Sequence, residues 1–226
     1  MIQFILIHIL FLYLLIIEPW WGKKSYQKFI FQVKQTPTKR FALYIRWGAI
    51  LWGITLYFFM ISYLYQIKID WWHSFDGFPL YLVIGSIVGS FVPILLAFIN
   101  EPFRKRMVLQ LELYQDFLPA TTKDKWGWAF LSFSAGFCEE LLFRVYLLYL
   151  FLDYWHIPIW LAILFSTIIF GMAHWYQGWR GVIVTSMLGF LLAVIFVWTK
   201  SIVVCMILHF LIDIRLLAFL KKSRHS

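Results

Sequence analysis

Trp126-Gly-Trp-Ala-Phe-Leu-Ser-Phe-Ser-Ala-Gly-Phe-Cys-Glu139-Glu140-Leu-Leu-Phe-Arg144-Val-Tyr-Leu-Leu-Tyr-Leu-Phe-Leu152 is an apolar run with two adjacent glutamates inside it. A helix that crosses a bilayer needs about 20 mostly apolar residues, and this run exceeds that. A charged side chain near mid-bilayer costs roughly 2.5–3.5 kcal/mol on the insertion scale. Two neighbouring acids with one nearby base, Arg144, therefore need a reason, and a functional site is the default one.

The rest of the chain reads the same way. It has 226 residues, 62% hydrophobic, 22% aromatic and 14% charged, with mean hydropathy +0.78. Soluble domains carry about 25% charged residues. Six further stretches are candidate spans: Ile2–Trp21, Ala42–Tyr65, Phe78–Ile99, Ile157–Trp175, Val182–Trp198 and Ser201–Leu220. The expected fold is all-α, a polytopic transmembrane helix bundle of about seven spans. Its expected parts are N-terminal helices and basic loops over 1–125, catalytic helices over 126–220 and a basic tail over 221–226. The first stretch has no basic n-region and no small-residue cleavage site, so it reads as a retained helix rather than a signal peptide.

Net charge is +9. In a soluble protein that would suggest nucleic acid, but these bases flank apolar spans and no nucleic-acid-reading motif is present. Membrane lipids are the better partner. Lys23, Lys24, Lys28, Lys34, Lys39 and Arg40 crowd the first loop, which reads as a membrane-surface face. Arg104, Lys105, Arg106, Lys123 and Lys125 crowd the third. The second loop has Lys68 with Asp70 and Asp76, and the fourth has no base. This alternation predicts a multi-pass cell-membrane protein with its N-terminus outside and its C-terminus cytoplasmic. Trp71 and Trp72 are among the aromatic residues at span ends, where interface anchors occur.

Three polar clusters mark the C-terminal half. In the first, Glu140 and Arg144 are i,i+4 neighbours with the acid N-terminal, the better orientation. Glu139 lies about 140° round from Arg144 at 3.6 residues per turn. Arg144 thus neutralises Glu140 and leaves Glu139 for chemistry. The second cluster is Phe170-Gly-Met-Ala-His174, where His174 alone would read as an interface histidine. The third is His209-Phe-Leu-Ile-Asp213. Here Asp213 shares a face with His209 and is placed to accept its second ring N–H or to act as a ligand. Together the clusters supply Glu, His, His and Asp at bilayer depth. Neutral imidazoles and carboxylates are zinc ligands, and a catalytic zinc keeps a position open for water. His-Glu-x-x-His is absent, so any metal site must be assembled from separate helices.

Glu-Glu-x-x-x-Arg, Phe-x-x-x-His and His-x-x-x-Asp on successive membrane segments resemble the CPBP family. That family includes the CAAX prenyl endopeptidases and the bacterial Abi proteins, some linked to bacteriocin self-immunity. The resemblance covers roughly Trp126 to Leu220. It implies an intramembrane metallo-endopeptidase that hydrolyses a peptide bond. Its catalytic set would be Glu139, Glu140, Arg144, His174, His209 and Asp213, with Glu139, His174, His209 and Asp213 as candidate zinc ligands. Activation of water by a metal-free Glu/His pair is the alternative chemistry. The implied substrate is a peptide or protein, lipidated or not. A catalytically idle scaffold or immunity factor, and an ion-coupled transporter, are the competing functions; no inverted repeat supports the latter.

A straight-helix map places Glu139 and His209 mid-span and His174 near the cytoplasmic end. The expected solution is a helix break at Gly136. Gly85 and Gly89 have the spacing of a close helix contact. Cys138 and Cys205 read as buried small hydrophobes, and His8, His73, His156 and His225 as ordinary residues.

Overall fold

The computed structural model describes residues 2–69, 78–112 and 114–220. Asp70, Trp71, Trp72, His73 and Asp76, and Lys221, Lys222, Arg224 and His225 in the tail, lie outside the described residues. Among the described residues every element is helical and none is a strand. The order is α1 (Ile2–Leu12), α2 (Glu18–Gln35), α3 (Arg40–Tyr65), α4 (Phe78–Ile99), α5 (Glu101–Glu112), α6 (Thr122–Glu140), α7 (Leu147–Tyr149), α8 (Ile159–Ala173), α9 (Gly178–Thr199), α10 (Ile202–Ile214) and α11 (Leu216–Leu220). π-helical segments at Tyr13–Ile17, Leu141–Tyr146 and Leu150–Tyr154 join α1 to α2 and continue the helix on both sides of α7.

All seven apolar stretches are helical in part or whole, but fewer are long and apolar enough to cross a bilayer alone. Three pass by length and composition: Phe4–Gln35, Pro37–Tyr65 and Trp175–Thr199. The bent pair Ile84–Ile99 and Glu101–Met107, angled at 115°, makes a fourth. Among the described residues three helices, or four if the bent pair is one span, meet these criteria, against the seven expected. α8 and α10 have only 15 and 13 residues, about 22 and 20 Å at 1.5 Å per residue, against a core of about 30 Å. The protein is an all-α membrane helical bundle in which short helices hold the site.

The first helix differs from its expected form. The span and the lysine-rich loop after it are one continuous helical run of 32 residues, Phe4–Gln35. Lys23 and Lys24 lie over the rings of Trp175 and Trp20, and Lys34 pairs with Asp116 at 3.5 Å. Arg40 leaves the expected surface face. It is 6% exposed and reaches Asp124 at 3.6 Å. Asp124 also completes a capping box: Thr121 Oγ1 accepts its N–H at 3.1 Å and its carboxylate accepts the Thr121 N–H at 2.9 Å. One acid therefore starts α6 and ties it to α3.

Inside a bilayer, helices associate through packing and interhelical hydrogen bonds rather than by leaving water. Such bonds converge on the helix that carries the acids. Ser166 in α8 donates to the Phe143 carbonyl at 2.7 Å. Trp52 in α3 donates to Ser134 at 3.1 Å. Trp128 in α6 donates to the Asp213 carbonyl at 3.3 Å.

Gly136 is not a break. α6 runs through it unbroken to Glu140, and the departure from α geometry comes after the acids, at Leu141–Tyr146. A Cβ at Gly136 would lie 3.0 Å from the Met206 carbonyl oxygen and 3.0 Å from the Phe210 nitrogen. The glycine lets the backbone of α10 approach α6 one turn before the acids. Gly85 and Gly89, by contrast, face open space among the described residues. Cys138 and Cys205 are buried and unpaired, as expected.

Candidate active site

Glu140 and Arg144 are fully buried. Arg144 Nε lies 3.1 Å from Glu140 Oε2, at an angle too oblique for a hydrogen bond. The contact is an ion pair by distance. The guanidinium carbon sits 4.3 Å above the Phe170 ring, so a cation–π contact supports its other face. The other carboxylate oxygen, Glu140 Oε1, lies 2.7 Å from His209 Nδ1. One buried acid thereby links the α6 continuation to α10.

That contact corrects the role expected of Asp213. Its Oδ2 is 3.8 Å from His209 Nε2, beyond hydrogen-bond range, and the ring nitrogen it was expected to hold is held by Glu140. The i,i+4 rule finds partners only within a helix, and the closer acid came from another one.

Glu139 turns away from this pair. Its Oε2 is 3.9 Å from His174 Nε2 and 4.0 Å from His209 Nε2. That oxygen is buried and has no hydrogen-bond partner. The difference in depth expected between Glu139 and His174 is absent. His174 forms the C-terminal cap of the short α8, which Ser166 anchors to Phe143, so the helix end comes level with the acids.

The second ring nitrogens set the histidine tautomers. His174 Nδ1 is 2.9 Å from the Phe170 carbonyl. A carbonyl only accepts, so Nδ1 carries the proton, and in the neutral ring the Nε2 lone pair points towards Glu139. His209 Nδ1 donates to Glu140 in the same way. Phe170 orders the group: its ring centroid is 4.8 Å from that of His174, 6.0 Å from that of His209 and 5.0 Å from that of Phe143.

Glu139, His174, His209 and Asp213 line a cavity of about 780 Å³. Its walls include Tyr26, Trp47, Phe117 and Tyr176, and Arg180 and Arg215 also contribute. Volumes of 300–1,000 Å³ suit small-molecule or short peptide binding. The donor chemistry of a carboxylate and two imidazoles with free Nε2 positions fits zinc. The spacing of 3.8–4.0 Å is wider than the roughly 3.3 Å expected between ligands at bond lengths of about 2.0 Å. Accordingly, no group of three metal-binding side chains is drawn into a ready ligand shell among the described residues.

One cavity residue escaped the sequence reading. Glu18 lines the same space, and Tyr13 donates to it at 2.5 Å. The available signal was the one that flagged Glu139, an acid inside an apolar stretch, here Ile2–Trp21.

Residues 121–215 match the family described as Type II CAAX prenyl endopeptidase Rce1-like. The matched segment begins at the capping box of α6 and contains all six site residues anticipated from the sequence. Neither a curated protein nor a solved structure matches the chain.

Proposed function

Because residues 121–215 match the Rce1-like family of type II CAAX prenyl endopeptidases, we propose that Glu139, His174 and His209 activate a water molecule for hydrolysis of a peptide bond. The observation that carries this reading is the convergence of Glu139 Oε2 with two imidazole Nε2 atoms from different helices, at 3.9 and 4.0 Å. Gaps of that width are too long for direct hydrogen bonds and suit a shared water.

In this reading Glu139 Oε2 takes a proton as the water oxygen bonds to the peptide carbonyl carbon. The carbon–nitrogen bond then breaks, and Glu139 returns the proton to the departing amine. The water's other O–H points to the Nε2 of His174 or His209, and the second imidazole borders the same space. Glu140 keeps the His209 ring aimed, and Arg144 holds the other oxygen of the Glu140 carboxylate. Asp213, at the more exposed edge with a third of its side chain accessible, contributes a polar group beside His209. Glu139, His174 and His209, with Asp213 as a further ligand, are the residues that would hold a zinc ion. The ion would supply Lewis acidity that brings the pKa of a bound water down towards neutral.

The protein is read as multi-pass, with the basic side of the bundle cytoplasmic. Ser25, Tyr26 and Arg180 line the cavity from the end where Lys23, Lys24 and Lys28 cluster, which supports access from that side. The substrate is a peptide or protein segment entering there, lipidated or not.

The test is cleavage of a peptide library by purified protein, wild type beside Glu139→Ala, His174→Ala and His209→Ala. Loss of cleavage in each is expected, and unchanged cleavage in all three removes the site. Metal analysis of the same samples decides between zinc and a metal-free Glu/His pair.

A further inference from the structure

Glu18 opens α2, outside the matched residues 121–215, yet it lines the cavity with Glu139, His174 and His209. Tyr13 lines it too, and its hydroxyl donates to Glu18 Oε2 at 2.5 Å. The two residues are five apart. In an α-helix that spacing turns side chains about 140° away from each other. The intervening Tyr13–Ile17 is π-helical, and i,i+5 neighbours stack in that winding. π segments often mark functional sites, and a second one follows Glu139 and Glu140 directly.

Among the described residues Tyr13 is the one group bonded to Glu18. A phenol supplies one hydrogen bond and no charge. A partly buried carboxylate beside an apolar wall calls for a counter-charge, and among the described residues Glu18 makes no ion pair.

We propose that Glu18 is a specificity-determining residue that receives a lysine or arginine side chain of the substrate, with Tyr13 fixing the aim of its carboxylate. The assignment rests on the protease reading, because it places a peptide in the cavity with its scissile bond at Glu139. The peptide's basic side chain points to the N-terminal helix, and its other contacts are with the aromatic walls.

The experiment uses the full chain in detergent micelles and fluorogenic peptides of one sequence, with Lys, Gln or Glu set in turn at each position around the cleaved bond. Glu18→Gln is expected to raise KM for the preferred Lys peptide about tenfold, the size of a lost charge-assisted hydrogen bond, with kcat within about twofold. The Gln peptide should change by less than about twofold, and the Glu peptide should bind better as the like charge is removed. Tyr13→Phe should act in the same direction by about threefold, and it gives the same readout if Glu18→Gln does not fold. In parallel, fluorescence anisotropy measures binding of the same peptides to Glu139→Ala with and without Glu18→Gln. Lysine-selective binding that depends on Glu18, without cleavage by the wild type, upholds this assignment and removes the protease reading. Cleavage that needs Glu139, His174 and His209 but ignores Glu18 does the reverse. Absence of both binding and cleavage overturns both.

Discussion

Glu140 and His209 meet at 2.7 Å through Oε1 and Nδ1, while the other oxygen of the same carboxylate faces Arg144. Each oxygen of this acid serves a different helix. The adjacent Glu139 has an oxygen with no hydrogen-bond partner. Neighbours in sequence thus differ in what they hold together.

That difference separates two isosteric substitutions. Glu140→Gln leaves Arg144 buried without its counter-charge, which costs about 3–5 kcal/mol, and it replaces the charged acceptor of His209 Nδ1 with a weaker neutral one. The melting temperature in detergent should fall sharply, and activity with it. Glu139→Gln removes a charge that few groups satisfy. Stability should hold or rise, while peptide cleavage drops by a factor of about 100 or more.

Gly136→Ala tests the close approach of α6 and α10. An exposed helical glycine usually gains about 0.5–1 kcal/mol on replacement by alanine. Here the new methyl meets backbone atoms of α10 at 3.0 Å. The sign should reverse, with a loss of about 1–3 kcal/mol from overpacking. Activity should also fall, because α10 carries His209.

Phe170→Ala removes the ring beneath Arg144 and beside both histidines. A cavity from a buried phenylalanine costs about 3–5 kcal/mol. The milder Phe170→Leu should retain most of the stability in a thermal melt. It should still lower kcat, since neither imidazole keeps its flat neighbour.

Asp124→Ala acts at the start of α6, 15 residues before Glu139 and about 22 Å along the helix at 1.5 Å per residue. It removes the carboxylate that accepts the Ala120 and Thr121 N–H groups, one half of the capping box, and takes the counter-charge from the buried Arg40. Thermal stability should fall, while kcat per folded molecule, measured well below the melting point, should stay unchanged.

How much of this was legible in the sequence depended on where each partner lay. The split between Glu139 and Glu140 was readable, because Arg144 sits on the same helix at a fixed angular offset. The bond from Glu140 to His209 was not, since no periodicity relates residues 69 positions apart. Asp213 was chosen as the partner because it was the acid within one turn. Gly136 has two physical meanings, a weak point or a contact point, and only the neighbouring backbone distinguishes them. The depth of His174 was misjudged because a full-length span was assumed, whereas α8 has 15 residues. The helical class needed only hydropathy. The number of crossings depends on helix lengths that hydropathy blurs.

Glu139, His174 and His209 belong to α6, to the end of α8 and to α10. None of these elements carries more than a fragment of the trio. If the proposed protease reading holds, a newly inserted chain whose helices have not yet packed lacks the assembled trio and does not yet cleave its own segments or its neighbours. On that reading, packing of the bundle is the activating step.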